Sequence, residues 1–322
     1  METVIKPIDR ELIRRELTAD KFVGKTRKGD NFIFEITAED SPFTMREIGR
    51  LREVSFRLGG GGSGKACDID TFDTDPHDAY KQLLVWDNEN QEIIGGYRYI
   101  VCSALDTQKM ATSEILRFSE QFKREYLPWT IELGRSFIQP NYQSANIRRK
   151  SIFALDNLWD GLGALVAKYE NMKYFFGKVT MYVGYNKRAR NILLNFLHLY
   201  FPDPDKLVTA EHPIDCSRND PYIHTLFNGL EYKEACKVLT KELKTYGEHI
   251  PPLINSYMNL SPSMRVFDTA VNKFFGGVEE TGILIKISDI YPEKIDRHVV
   301  PIRKWALEAK SKWWKFKKHT NL

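Results

Sequence analysis

The segment Thr130-Ile-Glu132-Leu-Gly-Arg135-Ser-Phe-Ile138 sets a carboxylate and a guanidinium inside an otherwise apolar run. Strand alternation puts Ile131, Leu133, Arg135 and Phe137 on one face and Glu132, Gly134, Ser136 and Ile138 on the other. Charged groups in the middle of a sheet are costly unless they are paired or used. One reading is an ion-pair network between neighbouring strands, with Arg98 as a partner; the other is a functional site. Gly134 removes a side chain, which admits a bulge or lets a ligand approach the backbone.

Two further segments invite a chemical reading. Asp68-Ile-Asp70-Thr-Phe-Asp73-Thr-Asp75 spaces four carboxylates two or three residues apart. Oxygen ligands suit Ca²⁺, but the turn glycine and closing glutamate of an EF-hand are missing. A solvated acidic loop is the plainer reading, and such a loop beside a cleft would attract a substrate ammonium group. Gly59-Gly-Gly-Gly-Ser-Gly64-Lys65 nearly matches a phosphate-binding loop, yet Ala66 stands where Mg²⁺ needs a hydroxyl. The segment before it reads as helix where that motif needs a strand, so a flexible loop is expected.

These residues need elements to position them. Ile8–Leu17 reads as a charged helix, and Asn31–Thr37 as a short strand. Met45, Ile48, Leu51, Val54 and Leu58 recur at helical spacing over Thr44–Leu58. Tyr80–Trp86 and Glu92–Cys102 read as strands joined by an Asp87-Asn88-Glu89-Asn90 turn. Further strands are expected at Thr130–Ile138, Tyr174–Val183, Arg265–Val271 and Gly282–Ile287. Helices are expected at Ala145–Tyr169, Lys187–Leu199 and Glu231–Tyr246, with Phe201–Asn228 as a polar loop. Strands adjacent in sequence mixed with helices predict an α/β (mixed α+β) fold around one central sheet.

Composition bounds the rest. The 322 residues carry 42% hydrophobic and 28% charged side chains and a net charge of +4, ordinary for a soluble globular protein. The longest apolar runs, such as Ile283–Ile287, fall far short of the roughly 18 residues of a membrane span. Met1–Asp20 is charged and lacks a continuous apolar stretch, so a cytoplasmic location is expected. Cys67, Cys102, Cys216 and Cys236 have neither a CxxC spacing nor a histidine cluster, and no metal site is expected.

Taken in order, Leu51-Arg52 through Phe56, Asp70-Thr-Phe-Asp73, Leu83-Leu-Val-Trp-Asp87, Gly95-Gly-Tyr-Arg98-Tyr and Glu132-Leu-Gly-Arg135-Ser resemble one GNAT lineage. It contains the acyl-homoserine-lactone synthases and the acyl-carrier-protein-dependent N-acyltransferases of ornithine- and glycine-lipid synthesis, which often carry a hemolysin label. Leu158-Trp-Asp-Gly-Leu162, Phe175-Phe-Gly177 and Pro251-Pro-Leu253 with Tyr257 resemble the lipid-synthesis group specifically. The resemblance covers roughly Lys6 to Ile287. It implies a GNAT fold with a central mixed, twisted sheet flanked by helices, over 27–290. An N-terminal helical extension over 1–26 and a tail over 291–322 complete the expected organisation.

The resemblance also implies a mechanism. Thr130–Ile138 and Tyr174–Val183 would be the splayed parallel strands that hold the pantetheine arm of a thioester donor. A backbone N–H near a bulge would polarise the thioester carbonyl, and Gly134 and Arg135 sit where such a bulge would fall. An acceptor amine is largely protonated at neutral pH and needs a base before it attacks. Carried over, Glu132 is the base; Arg135 and Arg98 organise the site or bind a carboxylate; Asp70, Asp73, Gly134 and Ser136 line the substrate. Tyr182 is the candidate acid for the departing thiolate.

One departure bears on the donor. The glycine-rich pyrophosphate loop of the GNAT fold is replaced by Gln139-Pro-Asn-Tyr-Gln-Ser-Ala-Asn146. No tightly bound cofactor is expected, and acyl-phosphopantetheine on acyl carrier protein is favoured over a coenzyme A thioester. Arg148, Arg149 and Lys150 then become the expected docking site for that acidic carrier, against the plainer reading of a solvated helix start. The expected activity is transfer of a 3-hydroxyacyl group to the α-amine of glycine or ornithine. The alternatives are a non-catalytic lipid-binding protein of hemolysin type and a homoserine-lactone synthase.

Between Arg303 and His319, lysines interleave with Trp305, Trp313, Trp314 and Phe316. That composition suits an interfacial helix on an anionic membrane or a helix packed on the domain. It also suits single-stranded nucleic acid, but no nucleic-acid motif accompanies it and no such partner is expected.

Overall fold

The computed structural model describes residues 1–143, 153–217 and 220–303. The described residues form two compact units, one from Met1–Val101, Ile131–Met172 and the described residues from Tyr291 onward, the other from Cys102–Thr130 and Lys173–Ile290. The first unit opens with α1 (Arg10–Glu16), β1 (Phe22–Lys25) and β2 (Phe32–Ile36), then α2 (Pro42–Leu58), the single turn α3 (Thr71–Thr74), β3 (Lys81–Asp87) and β4 (Glu92–Val101). After β5 (Leu116–Phe118) in the second unit, the chain returns for β6 (Thr130–Ile138) and α4 (Ala154–Lys168). The second unit then takes β7 (Tyr174–Met181), α5 (Lys187–Tyr200), β8 (Val208–Ala210), α6 (Pro221–Phe227), α7 (Tyr232–Thr245), α8 (Pro252–Met258), β9 (Arg265–Asn272) and β10 (Val278–Lys286), and α9 (Pro292–His298) falls back in the first.

In the first unit β1, β2, β3, β4 and β6 pair successively, each pair antiparallel. β3 and β4 are buried along almost their whole length, as central strands covered on both faces must be. Their turn forms where expected: Asp87 accepts from the Glu89 and Asn90 amides at 3.0 and 3.2 Å and from the Asn90 side chain at 2.7 Å. α4 and α2 cover opposite faces. Tyr97 and Arg98 are consecutive on β4 and so point to opposite sides. On one side a Cβ at Gly161 of α4 would lie 2.8 Å from the Tyr97 hydroxyl. On the other, Arg98 meets Asp73, which Arg52 of α2 also binds.

The second unit holds the antiparallel series β7, β10, β9 and a separate β5–β8 pair. The two strands expected to flank the donor thus belong to different units, β6 mainly to the first and β7 to the second.

Three expectations need amendment. Phe201–Asn228 is not a plain loop, because Val208–Ala210 pairs with Leu116–Phe118 and Asp220 caps a helix that begins at Pro221. Both elements are too short to show a period. α8 and α9 were also unanticipated, although each starts with proline in its first turn, where the missing N–H costs nothing. Within α2, Leu58 is exposed at the helix end instead of joining the apolar stripe. The beginning of the expected Ala145–Tyr169 helix lies outside the described residues.

Gly95 and Gly96 mark the tightest approach between strands. A Cβ at Gly96 would stand 2.6 Å from the Leu83 carbonyl oxygen, and one at Gly95 would collide with that of Phe137. Gly96→Ala is therefore expected to lose about 1–3 kcal/mol by overpacking. Gly184→Ala, with nothing within 4 Å of its new methyl, should stay within roughly 0.5 kcal/mol of the parent. Urea unfolding of the two variants checks the contrast.

Candidate active site

The polar residues singled out in the sequence converge between α2 and the sheet of the first unit. Arg52 belongs to the buried stripe of α2, four residues after Ile48 and four before Phe56, and its side chain is fully buried. Its guanidinium reaches both Asp73 carboxylate oxygens at 3.1 and 3.3 Å and also donates to the Gln82 side-chain oxygen. Gln82 in turn donates to Asp73 at 2.9 Å. Arg98 contacts Asp70 at 2.6 Å and Asp73 at 3.2 Å. Arg135 contacts Asp68 at 2.9 Å and Asp70 at 3.5 Å. Three arginines and three aspartates thus neutralise one another.

The acidic run is accordingly neither a solvated loop nor a cation-binding one. Asp70 and Asp73 form a reciprocal capping box across α3, each carboxylate accepting the other's backbone N–H. The remaining oxygens turn to the arginines. Burial alone would push the Asp73 carboxyl up; Arg52 and Arg98, with the Asp70 N–H and Arg135 behind them, hold it well below the usual carboxylate range. Burial likewise works against the charge of Arg98, and Asp73 and then Asp70 hold that guanidinium firmly protonated.

β6 supplies the other half of the site. Gly96 pairs with Phe137 and Arg98 with Gly134, so Arg135 and Ser136 together oppose the single residue Tyr97. Arg135 has φ +51°, the left-handed conformation of a bulge. Simple alternation had set Arg135 on the face opposite Glu132. The bulge instead brings its guanidinium to Asp68 and Asp70, the second of which also holds Arg98. Gly134 lies across from Arg98, where a Cβ would come within 3.6 Å of Nε, and Ser136 is exposed.

Glu132 is only 1% exposed and accepts a hydrogen bond from the phenol of Tyr80, equally buried at the start of β3. The Arg98 guanidinium lies 5.0 Å from the centroid of the Tyr80 ring and 5.4 Å from that of Phe72. Arg52, Tyr80 and Gln82 were not among the sequence candidates, and Asp68 was marked only as part of the acidic run. Arg52 had a usable signal, a charge set in an apolar helical stripe; Tyr80 had none beyond its place at a strand start.

Tyr182 follows β7 in the second unit, where burial and then the charge of Glu280 raise its phenol pKa, so it keeps its proton. Arg148, Arg149 and Lys150 lie outside the described residues, as do Trp305, Trp313, Trp314 and Phe316. The amides of Ser63 and Gly64 in the glycine run are taken up by the Glu53 carboxylate at 3.0 and 2.8 Å, so this loop presents them to its own helix.

Residues 51–150 match the family model of the acetyltransferase (GNAT) domain. A glycine N(alpha)-acyltransferase of Bacteroides thetaiotaomicron is 50% identical over 304 residues, covering 93% of this chain and 90% of the relative. One of Phocaeicola vulgatus is 48% identical over 314 residues, covering 96% of each. The chain belongs to this GNAT acyltransferase family. A crystal structure of the AHL synthase LasI aligns over 47% of this chain and 72% of its own, at 15% identity and a TM-score of 0.32. The family match and the two relatives show the GNAT fold and an acyltransferase activity. No helix among the described residues is long and apolar enough to cross a membrane.

The Asp73 carboxylate gives a test of how the acyltransferase holds its site together. Removing one member of a buried ion cluster costs roughly 3–5 kcal/mol, and Asp73→Asn should lose that much at neutral pH. Because its folded pKa is depressed, Asp73's contribution is complete above about pH 4 and is lost as pH falls through the folded value. Stability of the variant should therefore decline less steeply than that of the parent below pH 4. Urea midpoints followed from pH 7 to pH 3 measure both effects.

Proposed function

We propose that this enzyme moves a 3-hydroxyacyl group from acyl carrier protein to the α-amine of glycine, giving an N-acylglycine and the free carrier thiol. The observation that carries the reading is Glu132, a buried carboxylate beside a cluster whose charges already balance, on the strand that bulges at Arg135. Glu132 takes a proton from the glycine ammonium; the freed amine attacks the thioester carbonyl, forming the N–C bond. As the C–S bond breaks, the second proton of the attacking nitrogen passes to the departing thiolate, leaving amide and thiol. Glu132 then returns its proton to solvent.

Arg135 is the proposed partner of the glycine carboxylate. It is the most exposed of the three arginines, and its contact to Asp70 is the longest in the cluster. Arg98 is an organiser, since its side chain is buried and held by two aspartates. Glycine is favoured over ornithine because Asp68, Asp70 and Asp73 are engaged by arginines, which takes away the acidic pocket a second ammonium would need. The two glycine-named relatives support the same choice.

Acyl carrier protein is favoured as donor by the segment after β6. There Gln139 and Tyr142 are tied to the sheet, the latter through Asp87 at 2.8 Å, in place of a glycine-rich amide cradle for a diphosphate. Arg148, Arg149 and Lys150 are the proposed contacts to the carrier. The product is a lipid, which agrees with a cytoplasmic enzyme held peripherally on the membrane by its basic, aromatic C-terminal segment.

Thiol release from 3-hydroxyacyl carrier protein should depend on added glycine and proceed far more slowly with ornithine or with the coenzyme A thioester. Glu132→Gln should lower kcat by about 10²–10⁴-fold, the range of general-base catalysis. No glycine-dependent thiol release in the parent enzyme would refute the assignment. Charge reversal of Arg148, Arg149 and Lys150 together should raise KM for the carrier by about tenfold or more, with KM for glycine unchanged; steady-state kinetics in each substrate separates the two.

A further inference from the structure

We propose that Tyr80 is a positioning residue for Glu132, orienting the carboxylate through its phenol and tying it to the arginine–aspartate cluster. The inference rests on Glu132 acting as the base. Contacts among the described residues fix the Tyr80 ring and backbone. The Phe72 and Tyr80 rings meet edge to face at 5.9 Å, and the Tyr80 amide donates to the Phe72 carbonyl at 2.8 Å. Its own carbonyl accepts from Gln82 Nε2 at 3.1 Å, and the Arg98 guanidinium lies over its ring. Gln82 is bound to Asp73 and Arg52, and Phe72 belongs to the turn that Asp70 caps. Displacement of Tyr80 would disturb each of these.

The chemistry explains why a phenol suits this place. The neutral O–H of Tyr80 fixes one carboxylate oxygen, and a neutral donor favours the charged form of that carboxylate less than a guanidinium on the same oxygen would. Orientation of this kind matters because proton transfer requires hydrogen-bond reach to the acceptor amine.

Tyr80→Phe keeps the ring and its cation contact and removes only the hydroxyl. The expected result is a kcat about tenfold lower with KM for glycine little changed. The acidic limb of the kcat/KM profile should also move to higher pH, because the carboxylate loses a donor that favours its charged form. Combined with Glu132→Gln, Tyr80→Phe should cost little more, since both act on one unit. As a check that does not depend on how well the variant folds, 3-fluorotyrosine installed at Tyr80 strengthens the donor at unchanged shape and should move the same limb to lower pH.

A Tyr80→Phe enzyme with the parent's kcat and pH profile, or a loss fully additive with Glu132→Gln, would overturn the inference while leaving Glu132 as the base. Parent-like turnover in Glu132→Gln alone would overturn both together.

Discussion

A carboxylate with almost no contact with water stays charged only if the protein supplies the counter-charge, and Asp73 is held in that state by Arg52 from α2 and Arg98 from β4. The seat of the helix on the sheet, the capped turn at Thr71–Thr74 and the start of β3 all follow from satisfying this one group. Arg52 can reach it only if α2 lies along the sheet face that carries Arg98. Gln82 can share it only if β3 starts where Tyr80 is fixed by Phe72. The desolvation penalty makes the arrangement intolerant of partial formation, and that intolerance positions the chemistry.

Electrical closure of the cluster has a second consequence. The three arginines and three aspartates balance one another's charge, so the cluster itself places little net charge beside Glu132, which accepts from the phenol of Tyr80. The bulge at Arg135 completes the arrangement. A regular strand would have sent this guanidinium to the other face and left Asp68, buried beneath the acidic turn, without its cation. The left-handed conformation at Arg135 is a local cost that this ion pair offsets, in keeping with backbone strain being kept where function or burial demands it.

Much of the first unit was legible from period and punctuation. The helix at Thr44–Leu58, the hairpin around Asp87–Asn90 and the strand at Thr130–Ile138 rest on apolar spacing and turn residues, which act locally. Glu132, Arg98, Asp70 and Asp73 were legible as candidates because charge in an apolar setting is expensive wherever it occurs. Their pairing was not legible, because Arg52 and Asp73, or Arg135 and Asp68, are joined only by the fold. Alternation misplaced Arg135 for a related reason: a bulge adds one residue to the count, and Gly134 signalled it without fixing its direction. The short elements β8, α6, α8 and α9 escaped because seven residues or fewer cannot display a helical period, and a three-residue strand needs its partner to exist.

The cluster is graded from interior to rim, and the grading separates holding the fold from meeting a substrate. Arg52 and Asp73 are at most 1% exposed, whereas Arg135 and Asp70 are 14% and 19% exposed and joined by the loosest contact. Competition from a substrate anion is cheapest where a contact is long and partly wet, since little is lost when Asp70 yields an oxygen's place beside Arg135. The same competition at Arg52 would strand Asp73 without its cation in a dry interior. In the proposed reaction the carboxylate of the amino acid goes to Arg135, one residue along β6 from Gly134 and three from Glu132, and its amine is placed towards the carboxylate proposed to take its proton.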